Sequence, residues 1–272
     1  MPLRRQGRKA AAPTGYALPV KREPLFNVPT VVAALLAVFA IIHALRVYVL
    51  TENQDIEVLL QFAFIPARYD STAMLGGWPG GLGAEIWTFF TYAFLHANWM
   101  HFGVNAIWFL AFGSAVARRF GSLRFLAFFL VTAAAGAALH LVTHAGEQYP
   151  MIGASASISG TMAAAIRFAF QRGGPLGIFR SGDDAAYRVP ALPLTGVLRD
   201  SRVLLFLAVW FGINVLVGAG GFSSLTGGES VAWQAHIGGF LAGLMLFSLF
   251  DPVPRALPHA ADPSSPDGSR GI

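Results

Sequence analysis

The chain of 272 residues has no cysteine, which excludes disulfides, thiolate catalysis and cysteine metal sites. Charge is scarce too: Asp, Glu, Lys and Arg make up 12% of residues, about half the share of a soluble domain. The acidic groups Asp70, Asp183, Asp184 and Asp200 fall between the apolar runs, so no pair of carboxylates is available for catalysis within a membrane. No internal repeat is visible, which argues against an inverted-repeat transporter. What is abundant is apolar matter, at 55% of residues with a mean hydropathy of +0.56. It is gathered into runs of membrane length, the pattern of a polytopic all-α membrane protein.

Six spans are expected, at about 28–50, 97–117, 122–144, 155–171, 203–219 and 233–250. They compose one domain over 28–250, between a basic tail (1–27) and a Pro/Ser-rich tail (251–272), both expected to be disordered. The first apolar run begins near Val28 with no small-residue cleavage site after it, and reads as a retained anchor. The segment 51–96, which includes Trp78-Pro79-Gly80-Gly81, is too apolar for a plain linker and is expected to lie partly in the membrane interface. Residues 172–202 form a polar loop. Of the 19 Lys and Arg, all but Arg46 and Arg68 fall on the side of the N-terminus, which places both termini in the cytoplasm. That asymmetry accounts for the formal charge of +5 without nucleic acid as a partner.

Polar groups inside hydrocarbon are costly, so each is a functional candidate. Three clusters qualify: His96, His101 and Asn105 entering the second span, Ser155 opening the fourth, and His236 in the sixth. Helix rise compares their depths. Ser155 stands about 18 Å from Arg167, Asn105 about 20 Å from Arg118, and His236 about 22 Å from Asp251. All three fall within about one turn of a common depth, some way below the outer surface. The fourth helix must also start inside the membrane, since about 18 Å cannot cross a core of about 30 Å.

Gly153-Ala154-Ser155 marks a loop-to-helix junction, where the first N–H groups lack intrahelical partners. Such free donors beside a serine can stabilise an oxyanion. Taken alone, Ser155 could equally be a helix cap. In the sixth span, Gly239 and Gly243 share a helical face with His236. Small residues at that spacing allow close helix approach, and the fourth helix offers Ala156, Ser159, Gly160, Ala163 and Ala164 as a matching surface. Packing the two faces would bring His236 to Ser155 as a general base. Ser159 would then sit one turn deeper, bonding back to the Ser155 carbonyl, and Ser157 would face away from His236.

Gly153-Ala154-Ser155 with Ile158-Ser159-Gly160, then Ala235-His236 with Gly239 and Gly243, resemble the rhomboid intramembrane proteases. So do His96, His101 and Asn105, preceded by Trp87, Thr91 and Phe94; the resemblance covers about 85–250. It implies a six-helix bundle in a bacterial cytoplasmic membrane, cleaving single-span membrane proteins without cofactor or metal. It assigns Ser155 as nucleophile and His236 as base, in a dyad without aspartate. His101 and Asn105, with the backbone at Gly153 and Ser155, would hold the oxyanion, with His96 in support. The fifth helix and following loop, roughly 203–230, would be a movable gate. Two departures stand out. Ala156 replaces the usual glycine after the nucleophile, and is expected to crowd the oxyanion site. Thr88 stands where an arginine often follows the tryptophan, so the first loop must be anchored differently.

Rival readings are an inactive rhomboid-like binding protein, which would lack the serine or histidine, and a transporter using the polar cluster as a pathway. His140 and His144, four apart on one helix face, could suggest a metal. No glutamate lies between them, and solvation at the interface accounts for the pair.

Overall fold

The computed structural model describes residues 28–70, 77–176, 183–218 and 231–254. Residues 1–27 of the expected N-terminal tail, 255–272 of the C-terminal one and 219–230 of the expected gate lie outside them. The described chain is helical. An isolated antiparallel bridge joins Phe64 and Met151.

Helix α1 (Thr30–Tyr48) opens the fold, followed by α2 (Glu52–Phe62) and α3 (Gly81–Thr91) within the long first loop. Thr51 and Gln54 close a reciprocal capping box at the start of α2. The second span runs from Trp99 to Phe120 as α4 (Trp99–Trp108), a π-helical turn (Phe109–Gly113) and α5 (Ser114–Phe120). The wider turn adds a residue, rotating α5 by about 100° relative to an unbroken helix. It lets α4 turn Asn105 inward while α5 buries Arg119. Then come α6 (Ser122–Thr143), α7 (Ser155–Ala165), the one-turn α8 (Leu194–Val197), α9 (Ser201–Gly218) and α10 (Trp233–Phe250).

Among the described residues, five helices are long and apolar enough to cross a membrane: α1, α4–α5, α6, α9 and α10. The expected fourth span, 155–171, has a helix of 11 residues, α7, and its tail is a series of turns. After its first residue α7 is buried on every side, Ala156 to Ala165 all being enclosed. The outward faces of the spanning helices carry exposed Ile41, Ile107, Val142, Leu205 and Leu249, an apolar surface suited to lipid.

α7 is enclosed because α6 and α10 come close to it through glycine. A Cβ on Gly239 would strike the Ala156 carbonyl oxygen, and one on Gly243 would strike the Gly160 backbone. On the next face, a Cβ on Gly238 would meet the Ala135 carbonyl oxygen at 2.7 Å. At the C-terminal end of α5 the buried Arg119 guanidinium ties three segments together. It pairs with Asp251 at 2.8 Å and donates to the carbonyls of Tyr187 and Val189, each at 2.8 Å. Arg167 at the end of α7 donates to Leu192 O and Leu244 O.

The first loop is anchored through Arg68. Arg68, buried, donates to the carbonyls of Pro79 and Leu60 and lies over the Trp78 ring. Thr88 bonds its own helix at Ala84 O and meets Tyr69 Oη at 3.1 Å. Burial raises the Tyr69 phenol above its ordinary range, keeping it the donor to Glu85 O.

Candidate active site

The loop entering α7 is fixed by backbone bonds. Phe64 and Met151 exchange both of theirs, at 3.1 and 2.8 Å, and Gly153 N–H donates to Tyr92 O at 3.0 Å. Gly153 has φ +119°, a region that disfavours any side chain, and a Cβ there would lie 2.7 Å from His101 Nε2. Ala154 then begins the helix without a side-chain cap, so the N–H groups of Ser155 and Ala156 have no helical acceptor.

Ser155 Oγ lies 2.8 Å from His236 Nε2, and both residues are partly buried. The serine is the first residue of α7 and the histidine is one turn into α10, so the glycine-mediated contact of these helices sets the distance. The other serines of α7 are committed elsewhere. Ser159 Oγ donates to Ser155 O at 2.8 Å, and Ser157 Oγ donates to Phe129 O on α6 at 2.8 Å. Ser155 is the α7 serine that meets the imidazole.

Two donors from α4 converge on the same place. Asn98 caps α4 by accepting from His101 N–H at 2.8 Å, which fixes the first turn. The Asn105 side chain is buried, and its Nδ2 has no protein acceptor. It lies 3.7 Å from where a Gly153 Cβ would be, with His101 Nε2 a further ångström nearer. Ala97 N–H reaches His101 Nδ1 at 3.5 Å, which makes Nδ1 the acceptor and leaves the proton on Nε2, facing the site. An NH group from each of two side chains thus meets at Gly153, two residues before Ser155, whose own N–H has no helical acceptor. That is the arrangement an oxyanion requires. His96 sits behind them, fully buried, its ring 5.3 Å from that of His101 and its carbonyl accepting from Arg46 at 2.9 Å.

The Ala156 methyl does not crowd these donors. It lies against α6 at Gly136, where a Cβ would come within 2.5 Å of it. The space comes from a glycine on another helix, so the expected crowding is corrected by tertiary packing.

One group escaped the sequence reading. Asn214 of α9 places its Oδ1 2.6 Å from His236 Nδ1, the ring nitrogen turned away from Ser155. The signal was available: a lone amide in an otherwise apolar span.

At the C-terminal end of α6, His140, His144 and Glu147 each bring a ligand atom within 4.8 Å of one another, and could hold a cation. His144 Nε2 is 3.9 Å from Glu147, while its Nδ1 meets Thr143 Oγ1 at 2.8 Å. The carboxylate absent from the helix comes from the following turn.

The family model described as the Rhomboid domain matches residues 83–251. Proteins named rhomboid protease GlpG, from Salmonella choleraesuis and Salmonella newport, are each 26% identical to the chain over 182 residues. The match takes in 65% of this chain and 54% of theirs, so the chain spans about half the length of the curated relatives it matches.

Proposed function

We propose that this chain, which belongs to the rhomboid family, is an intramembrane serine endopeptidase acting through a Ser155–His236 dyad. The observation that carries the reading is the 2.8 Å contact between Ser155 Oγ and His236 Nε2. His236 accepts the hydroxyl proton as Ser155 Oγ attacks a peptide carbonyl carbon. Asn105 Nδ2, His101 Nε2 and the Ser155 N–H hold the resulting oxyanion, and His96 supports His101 from behind. The imidazolium then protonates the leaving nitrogen, and water releases the acyl group by the reverse sequence.

The substrates proposed are single-span membrane proteins of the bacterial inner membrane, cut in or near their membrane segment without metal or cofactor. In this topology α7 is the fourth of six membrane-embedded helices, entered from outside by the 145–154 loop, and both termini are cytoplasmic. The concentration of Arg118, Arg119 and Arg167 at one end of the helices supports that orientation.

The test is cleavage of a model single-span substrate by purified protein, with Ser155→Ala and His236→Ala as comparators. Both variants should remain folded in detergent and lose cleavage. Proteolysis retained by either overturns the dyad.

A further inference from the structure

Beyond the dyad stands a chain of hydrogen bonds that continues from the base into α9. We propose that Asn214 is a positioning residue that holds the His236 imidazole in the tautomer and orientation its reaction with Ser155 requires. The inference rests on the dyad reading above and deepens it.

The argument begins with the cost of an amide in this helix. Asn214 follows Phe211-Gly212-Ile213 and precedes Val215-Leu216-Val217, in a helix whose other side chains are largely apolar and lipid-facing. A residue serving only to pack would be apolar there, because a buried amide must find partners for both ends. Asn214 finds both. Its Nδ2 donates to Trp210 O, one turn back, at 2.8 Å, and its Oδ1 meets His236 Nδ1 at 2.6 Å.

The polarity of this pair follows from chemistry. The Trp210 carbonyl can only accept, so it takes the NH₂ end of the amide and leaves the oxygen facing His236. An oxygen acceptor requires the proton on Nδ1. The lone pair is therefore on Nε2, directed at Ser155 Oγ 2.8 Å away, where a base needs it. Without the acceptor, the imidazole could carry its proton on Nε2 and become a donor to the serine, which is unproductive. When the Ser155 proton arrives on Nε2, both ring nitrogens carry hydrogen and the ring is cationic. The Nδ1–H bond to Oδ1 is then charge-assisted. A neutral amide oxygen does not take up the proton, so Asn214 orients and stabilises without relaying.

Placement of the amide is also built in. Trp210 and Asn214, one turn apart, are buried on the same face of α9, and the Trp210 ring stacks on Phe240 of α10 at 4.9 Å. That contact sets the height of α9 against the helix that carries the base.

The test compares Asn214→Leu, which removes the acceptor at similar volume, with Asn214→Asp, which keeps an oxygen in the same place. A general base contributes about 10²–10⁴ in rate, and loss of its orientation should remove roughly ten- to a hundredfold of that from kcat. For Asn214→Leu, KM should stay within about twofold, and the rate of fluorophosphonate labelling at Ser155 should fall by the same factor as kcat. Asn214→Asp should recover most of both rates. Thermal unfolding in detergent shows whether each variant is folded, and Asn214→Ala replaces the leucine variant if the latter is not. Full kcat in a folded Asn214→Leu or Asn214→Ala enzyme overturns the proposal, as does an Asn214→Asp enzyme no better than Asn214→Leu. Neither result touches the dyad, which falls only if Ser155→Ala or His236→Ala still cleaves.

Discussion

Replacing Asn105 by leucine should make the protein more stable and less active at once. Nδ2 of this residue is buried without a protein acceptor. An unsatisfied buried donor costs about 1–3 kcal/mol, and an apolar side chain of similar shape removes that cost. Leucine also has the better helix propensity, by a few tenths of a kcal/mol. The unfolding midpoint of Asn105→Leu should therefore hold or rise. Catalysis should move the other way. Loss of one oxyanion donor costs about 10²–10³ in kcat, or roughly 2.7–4 kcal/mol. Here the His101 Nε2–H and the Ser155 N–H share the load, which places the expected loss toward the lower end. KM should change little, since the carbonyl oxygen acquires its charge only in the transition state. The assay is steady-state cleavage of a single-span substrate in detergent, paired with thermal unfolding of the same preparations. Unchanged kcat with raised KM would refute the donor assignment. A fall in kcat matched by a collapse in thermal stability would refute the claim that Asn105 is held unsatisfied for catalysis.

Other substitutions probe the frame around the site. Gly243→Ala places a methyl against the Gly160 backbone, with its Cα at 2.6 Å, and should destabilise by about 1–3 kcal/mol while lowering kcat as α7 and α10 separate. Thermal unfolding and cleavage rate check it; an unaffected enzyme would contradict the close packing of these helices. Ser157→Ala and Ser159→Ala should keep most activity and still react with a fluorophosphonate, and mass spectrometry should find the adduct on Ser155. An adduct on Ser159 would move the nucleophile one turn inward. Gly136→Ala brings two methyls within 2.5 Å and should impair folding, with partial recovery on adding Ala156→Gly. An equal loss in single and double variants, measured by unfolding, would show that the Ala156 methyl is not what Gly136 accommodates.

The sequence made legible whatever was expressed as polarity against an apolar background. Ser155, Asn105 and His236 could be placed at one depth from helix rise to Arg167, Arg118 and Asp251, and the structure brings Ser155 to His236 and sets His101 and Asn105 against Gly153. The fourth span was expected to run from 155 to 171, whereas α7 ends at Ala165. The π turn at Phe109–Gly113 was not legible, because each of its residues is compatible with an ordinary apolar helix. The accommodation of Ala156 was hidden for a different reason: it depends on Gly136, a glycine on another helix whose relation to α7 exists only after folding. Glu147 was missed because it approaches His144 through a turn and not through helical spacing. Asn214 is the instructive case, since it carried the same signal as His236, a polar group in a span, in a helix that also carries Arg202.

The helices that hold the dyad differ from the helix that orients it. Ser155 and His236 ride on α7 and α10, which meet backbone to backbone through Gly239 and Gly243, and such a contact has little freedom to slide. Asn214 rides on α9, which buries 17% of its span window, the least of the five helices, against 44% for α6. Its inward contacts reduce to a few residues, among them Phe206 on Phe112, Trp210 on Phe240 and Asn214 on His236. The distance from nucleophile to base is therefore fixed by a backbone-to-backbone helix contact, whereas the tautomer of the base depends on the least buried of the five spanning helices. A displacement of α9 that left the 2.8 Å contact untouched would still remove the acceptor that keeps the Nε2 lone pair directed at Ser155. In this fold, then, an intact dyad distance is necessary for a competent base but does not guarantee one.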